Sequence, residues 1–154
     1  MIIRLATQND VPRLFELEQL YYQERLAMLP DNFRILDGTM DMETIKKRVL
    51  DEHRSYVMAY EDKIIGYIVC RIKNVTLSDG KKHKEGRVGD LYVHPDMRGK
   101  GIATQLYEKA RQWFAEKGCQ WESLSVFQNN PAGQLYEKWG FVPFSIEMRK
   151  RIEN

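Results

Sequence analysis

The sequence predicts a mixed α/β fold, a single layer of sheet covered by helices. Three observations carry this. Apolar residues recur at helical spacing in some segments and at alternate positions in others. The segments run in the order strand, two helices, three strands, helix, strand, helix, strand. The longest helical stretch follows a strand directly, through the glycine turn RGKG.

The opening IIRLA has strand character and ends at Thr7. A helix follows from about Asn9, with Val11, Leu14, Phe15, Leu17, Leu20 and Tyr21 near helical spacing. The turn-rich stretch LPDNFRILDG interrupts it, and Asp41 is placed to cap a second helix through ETIKKRVLDEH. SYVMAYE and IIGYIVCRI read as strands joined by Glu61-Asp62-Lys63. TLSDGKKHKEG reads as a flexible basic loop, and GRVGDLYV as a strand ending at His94-Pro95. A helix from about Gly101 to Lys117 gathers Ile102, Leu106, Ala110, Trp113 and Phe114 on one face, and Gly118 stops it. WESLSVF is a strand. Asn130 then stands at an N-cap, Pro131 at the first helical position and Gly140 at the helix end, and FVPFSIEMRKRI supplies a last strand.

The 154 residues contain no repeat, low-complexity tract or separating linker, so residues 1–154 read as one domain. A net charge of +2 and the lack of a recognised motif argue against nucleic acid as the partner, and no run of apolar residues is long enough for a membrane. Cys70 and Cys119 lie far apart, as reduced thiols of a cytoplasmic protein would. His53, His83 and His94 have no metal-ligand spacing, so no metal is expected.

The sharpest local signal is LYVHPDMRGKGIATQLYEKA. Pro95 turns the chain after a strand, and Gly99 and Gly101 permit backbone conformations closed to other residues. A helix begins at once, and its first amides have no internal partner. Such a turn suits a phosphate or pyrophosphate, with Arg98 and Lys100 adding mobile positive charge at its rim. A tight turn without a ligand explains the same residues. A Walker A loop is excluded because Ile102 follows Gly101, and a Rossmann fingerprint because the third glycine is missing.

The C-terminal half resembles the GNAT superfamily of N-acetyltransferases. Its motif of Arg or Gln, two residues, Gly, one residue, then Gly or Ala is met by Arg98, Gly101 and Ala103, after Val93-His94-Pro95. The later family pattern N-x-x-A-x-x-L-Y-E-K-x-G-F is met from Asn129 through Ala132, Leu135, Tyr136, Glu137, Lys138 and Gly140 to Phe141. The likeness is tight from about Arg87 to Phe144; the opening IRLAT, ending its pattern at Asp10, also looks like the family's.

The resemblance implies a mostly antiparallel central sheet with helices on both faces and a V-shaped splay between strands 4 and 5. The arms would be about Val88 to Val93 and Glu122 to Val126. Acetyl-CoA would enter the splay as cosubstrate, with its arm against Leu91, Tyr92 and Val93. Its pyrophosphate would lie on the amides of Arg98, Gly99, Lys100, Gly101, Ile102, Ala103 and Thr104. Asn129 matches the family asparagine that reaches the cofactor arm; its alternative reading is a turn residue.

The implied reaction is direct attack of a primary amine on the thioester in a ternary complex. Tyr136 occupies the family's general-acid position, although it also reads as a core aromatic beside Ala132 and Trp139. Asp90 is the carboxylate nearest to where many members keep a Glu, while Gly89 stands where some polyamine-type members have theirs. Asp90 reads as a base, a cation-binding group or a plain strand residue, and deprotonation through water is a fourth route.

The resemblance places acceptor choice on the first two helices, their connection and the loop before the fourth strand. Tyr21, Tyr22, Glu24, Asp31 and Phe33 form a mix able to line a pocket for a cationic amine, although any one of them reads first as an ordinary surface or packing residue. The basic run Lys81, Lys82, His83 and Lys84 reads as a solvated charge run before an attractor of an acidic acceptor. Protein N-terminal acetyltransferases tend to show L-E-V-R where this chain has Leu124-Ser125-Val126-Phe127. A small-molecule amine is therefore the favoured acceptor, with a protein amine and a non-catalytic acyl-CoA-binding or sensing role as alternatives. The final strand and exposed-looking aromatics suggest a homodimer.

Overall fold

Five strands form one sheet in chain order, antiparallel except for the last pair. The structure, a computed structural model, describes residues 1–30 and 41–153. β1 (Ile2–Leu5) is an outer strand of the sheet. Its Arg4 forks onto buried Asp10 at 2.6 and 2.8 Å, and Asp10 also accepts from the Thr7 amide at 2.7 Å. This fastens the strand end to the start of α1 (Val11–Met28). The segment expected to separate the first two helices falls largely on 31–40, so Asp31 and Phe33 lie outside the described residues. α2 (Met42–Lys46) starts where Asp41 accepts from the Thr44 amide at 2.7 Å, and continues into a π-helical turn, Lys47–Glu52.

β2 (Arg54–Tyr60) and β3 (Lys63–Thr76) meet at Glu61 and Asp62, whose φ values of +47° and +62° suit a tight hairpin. β3 pairs with β4 (Lys82–Val93) from Thr76–Lys82 to Gly66–Val93. The segment read as a flexible basic loop, Thr76 to Gly86, is therefore mostly strand. Antiparallel pairing carries its charged residues well past the body of the sheet, and only Leu77–Lys81 turns.

α3 (Ile102–Glu116) covers one face, packing Ile102, Leu106, Tyr107, Ala110 and Phe114 on Tyr56, Met58, Ile65, Ile68, Cys70, Val88 and Val93. α1 and α2 cover the other, where Leu14, Leu17, Ile45 and Val49 meet Val57, Ile64, Tyr67, Val69 and Tyr92. From Tyr67 to Cys70, β3 alternates between the two faces with the strand period of two. The register shift opposite Met58 and Ala59 changes the phase, so that Ile64 joins Tyr67 and Val69 while Ile65 joins Ile68 and Cys70.

β5 (Trp121–Ser123) is shorter than the WESLSVF segment, and α4 (Ala132–Lys138) follows. The Asn130 side chain accepts from the Ala132 amide at 2.9 Å, and Gly140 (φ +94°) closes the helix. The expected last strand does not form. Residues 142–153 carry no regular structure and are exposed, because among the described residues no strand pairs with the outer edge of β5. Among the described residues no helix is long and apolar enough to cross a membrane, and no three metal-ligating side chains gather.

Candidate active site

The site begins with an irregularity in β4. Val69 pairs with Asp90 but Cys70 pairs with Val88, so Gly89 is an extra residue in the ladder. Such a bulge bends its strand and shifts the side-chain alternation. Val88 packs under α3, yet Asp90, two residues on, points toward α1 and α2. Before the bulge β4 pairs with β5, at Glu85–Trp121, Gly86–Glu122 and Arg87–Ser123. After it the two chains part. The outer edge of β4 from Val88 to Val93 and the segment from Leu124 onward no longer pair, and this break in the ladder marks the candidate cleft. The second arm is thus a strand only at its base, not through Val126.

At the mouth of the cleft the turn 95–101 leads into α3. Gly99 and Gly101 have φ of +74° and +75°, a left-handed conformation that favours glycine, and a Cβ on either would meet nothing within 4 Å. The Arg98 amide donates to Pro95, and the first α3 bond runs from the Gln105 amide to Gly101. Between them, among the described residues, no protein acceptor takes the amides of Gly99, Lys100, Gly101, Ile102, Ala103 and Thr104. These six donors lie at the positive end of a helix dipole, an arrangement fit for a pyrophosphate.

The Arg98 side chain departs from expectation. Its Nε donates to the Val93 carbonyl at 2.9 Å and its Nη2 reaches both Glu24 oxygens at 2.8 and 2.9 Å. It also lies over the Tyr92 ring, whose hydroxyl donates to the same Glu24. Arg98 is therefore a brace between β4 and α1 rather than a mobile charge at the rim. Lys100 is lightly held, 3.3 Å from the Asp96 carbonyl.

A charged cluster lies under the α1 side of the cleft. The Arg48 guanidinium donates to Asp90 at 2.9 Å and to Glu18, which is fully buried on α1. Two carboxylates thus share one cation. Burial pushes the Glu18 carboxyl above its ordinary value, although Arg48 opposes the rise. The Tyr67 hydroxyl, Glu18 Oε2 and Arg48 Nε are buried without a well-formed hydrogen bond. Tyr21, packed on Tyr92 at 5.6 Å, completes the wall.

Tyr136 is half-buried on α4, against Trp139 and Phe141. Burial and then the charge of Asp90 raise its phenol. Asn129 is exposed beyond the second arm, its Nδ2 donating to the Met28 carbonyl at the end of α1. The charge of Asp90 thus reaches the phenols of both Tyr21 and Tyr136, and the glycine turn follows directly on Leu91, Tyr92 and Val93 of β4. Cys70 is no nucleophile, since burial raises its thiol to about 12.

The Acetyltransferase (GNAT) family profile matches residues 11–141. The chain belongs to this family. An uncharacterised N-acetyltransferase of Methanocaldococcus jannaschii is 30% identical over 108 residues, 66% of this chain and 47% of the relative. The chain thus spans about half that relative's length. A ribosomal protein bS18-alanine N-acetyltransferase of Haemophilus influenzae is 26% identical over 97% of this chain and 85% of its own. Among solved structures, a mutant of a Bacillus halodurans protein aligns with TM-score 0.87 at 23% identity, covering 99% of this chain and 100% of that one. An aminoglycoside N-acetyltransferase in complex with CoA aligns with TM-score 0.72 at 18% identity, covering 98% and 95%. Both share the fold.

Sequence reasoning passed over Glu18, Arg48 and the Glu24–Arg98 brace. Glu18 carried a signal, because it falls on the same helical stripe as Leu14, Leu17 and Tyr21, where a carboxylate needs a partner. Arg48 carried none, since only the fold brings it to Asp90.

Proposed function

We propose that the protein is an N-acetyltransferase that moves the acetyl group of acetyl-CoA to a primary amine, with a small cationic amine as the favoured acceptor. The observation that carries this reading is the run of unbonded amides at 99–104, set at the mouth of a cleft between parted strands. Those amides would hold the pyrophosphate, with Lys100 near it. The outer edge of β4 at Leu91, Tyr92 and Val93 would receive the pantetheine arm as an added strand. Asn129, already joined to Met28, would use its second N–H or its carbonyl oxygen on that arm.

The amine nitrogen would attack the thioester carbon in a ternary complex. A C–N bond forms, the C–S bond breaks, and the carbonyl oxygen gains charge that a backbone N–H between Leu91 and Val93 would stabilise. Tyr136 would protonate the departing thiolate; its raised phenol remains protonated through neutral pH. Asp90, held by Arg48, is suited to draw the acceptor ammonium into the cleft and to take its proton directly or through water. Glu18, Asp90 and Arg48 together carry one excess negative charge when both carboxylates are ionised, which favours a cationic acceptor over an acidic one.

A panel of polyamines, aminoglycosides, amino acids and peptides, assayed with acetyl-CoA for thiol release, tests both parts. Turnover on small amines is the expected result. Turnover confined to peptides would reassign the acceptor to protein. CoA binding with no turnover on any amine would leave a binding or sensing module.

A further inference from the structure

We infer that the acceptor is of the amino-acid kind, an amine that also carries a carboxylate, with Arg25 binding the carboxylate while Asp90 receives the ammonium. This rests on the acetyl transfer proposed above and narrows its acceptor. Arg25 stands in the last turn of α1, half-buried between two aromatic rings. Its guanidinium carbon is 5.4 Å from the centre of the Tyr21 ring and 5.1 Å from that of Phe127, in the segment after β5. Arg4, Arg48 and Arg98 each hold a carboxylate, whereas among the described residues no carboxylate pairs with Arg25. Its neighbour Glu24 is already taken by Arg98 and the Tyr92 hydroxyl. An arginine held by ring faces keeps its N–H fork for a planar acceptor, and a carboxylate is the geometric match.

Tyr21 joins this cation to the charge at the bulge. Its ring packs on Tyr92 of β4 at 5.6 Å. Burial raises its phenol, the Asp90 carboxylate adds to the rise and Arg25 opposes it. Opposite charges thus act on one tyrosine from two sides. Glu18, Asp90 and Arg48 carry one excess negative charge when both carboxylates are ionised, and Arg25 balances it. A pair of separated opposite charges complements a zwitterion, whereas the second ammonium of a bare diamine would meet Arg25.

The turn that carries Arg25 is fastened on both sides. Glu24 grips Arg98 and Tyr92, and the Met28 carbonyl accepts from Asn129 Nδ2 beyond β5. Arg25 lies between these two anchors in the same helical turn, so its position is set before a ligand arrives, which lowers the ordering cost of binding.

Leucine and lysine, each assayed against its carboxamide with acetyl-CoA, test this, because the amide keeps the amine and the shape and removes the charge. The parent should prefer the acids, and Arg25→Gln should lower the acid-over-amide ratio of kcat/KM by about tenfold. Arg25→Lys, with the charge but not the fork, should restore part of it. A ratio that Arg25→Gln leaves unchanged overturns the proposal, as does a parent that prefers the amides or acetylates only polyamines. A fall in CoA affinity in Arg25→Gln as large as the fall in the ratio would assign Arg25 to the cofactor and overturn it too. If no amine is acetylated, the transfer reading fails by itself, and calorimetry of the same pairs on CoA-loaded protein decides the carboxylate site. Binding of the acids that Arg25→Gln removes upholds it; equal binding of acid and amide, or none, overturns it.

Discussion

Arg48 approaches Asp90 to 2.9 Å across the gap between the helical layer and β4, so the one carboxylate at the bulge is already partnered by a cation. The same guanidinium serves Glu18 from its other nitrogen. Arg48→Met leaves two carboxylates facing each other in a buried site and should cost about 3–5 kcal/mol in denaturant unfolding. Arg48→Lys keeps the charge without the fork and should fall between variant and parent.

The pH dependence of that loss has a definite sign. The folded-state value of Glu18 lies above its ordinary 4.5 because of burial, and removing Arg48 takes away an influence that lowers it. A raised carboxyl favours the folded state below the unfolded value, and that contribution is lost as pH rises through the folded value. The Arg48→Met deficit should therefore shrink as pH is brought down toward 4.5. An equal deficit at all pH values would mean that Glu18 does not carry it.

Gly101 and Gly80 separate backbone strain from ligand contact. Both have left-handed φ, +75° and +83°, and both have open space where a Cβ would stand. Alanine at either should cost about 1–2 kcal/mol through strain. Only Gly101→Ala should also weaken CoA binding, by about tenfold or more, since Gly80 lies in the far hairpin turn. Titration calorimetry with CoA on both variants reads the difference.

Tyr136→Phe should lower kcat by about a hundredfold while CoA affinity holds, as loss of a proton donor does. Because burial and Asp90 keep the phenol protonated, the parent's kcat should show no decline from this group below its ordinary value of 10. A fall in CoA affinity equal to that in kcat would make Tyr136 a packing residue.

Gly86 lies under the Phe114 ring, where a Cβ would come within 2.3 Å of it. Gly86→Ala should cost about 1–3 kcal/mol through overpacking, and Phe114→Leu in the same chain should return part of it. Thermal unfolding of the single and double variants checks the coupling.

The fold was legible wherever local signals agreed. The α3 stripe, the Asp41 cap, the Glu61-Asp62 turn and the glycine turn each combine a period with a residue suited to the boundary. Of the candidate site, the left-handed backbone at Gly99 and Gly101 was legible from residue type alone, and so was the helix that carries Tyr136. It was not legible where distant segments meet. Arg48 reaches β4 and Glu24 reaches Arg98 through packing alone, and no local pattern marks either. The basic stretch before Gly86 misled because composition speaks of solvation, whereas cross-strand pairing with β3 decides its conformation. The final segment has strand pattern without strand structure, since a strand is defined by its partner.

Gly89 acts as a phase setter for everything downstream of it in β4. Without an extra residue in the ladder, Asp90 would share the face of Val88 beneath α3 and Leu91 would face Arg48. Removing Gly89 alone would set Asp90 next to Val88 and still opposite Val69, so both residues would keep their faces while the strand lost its bend.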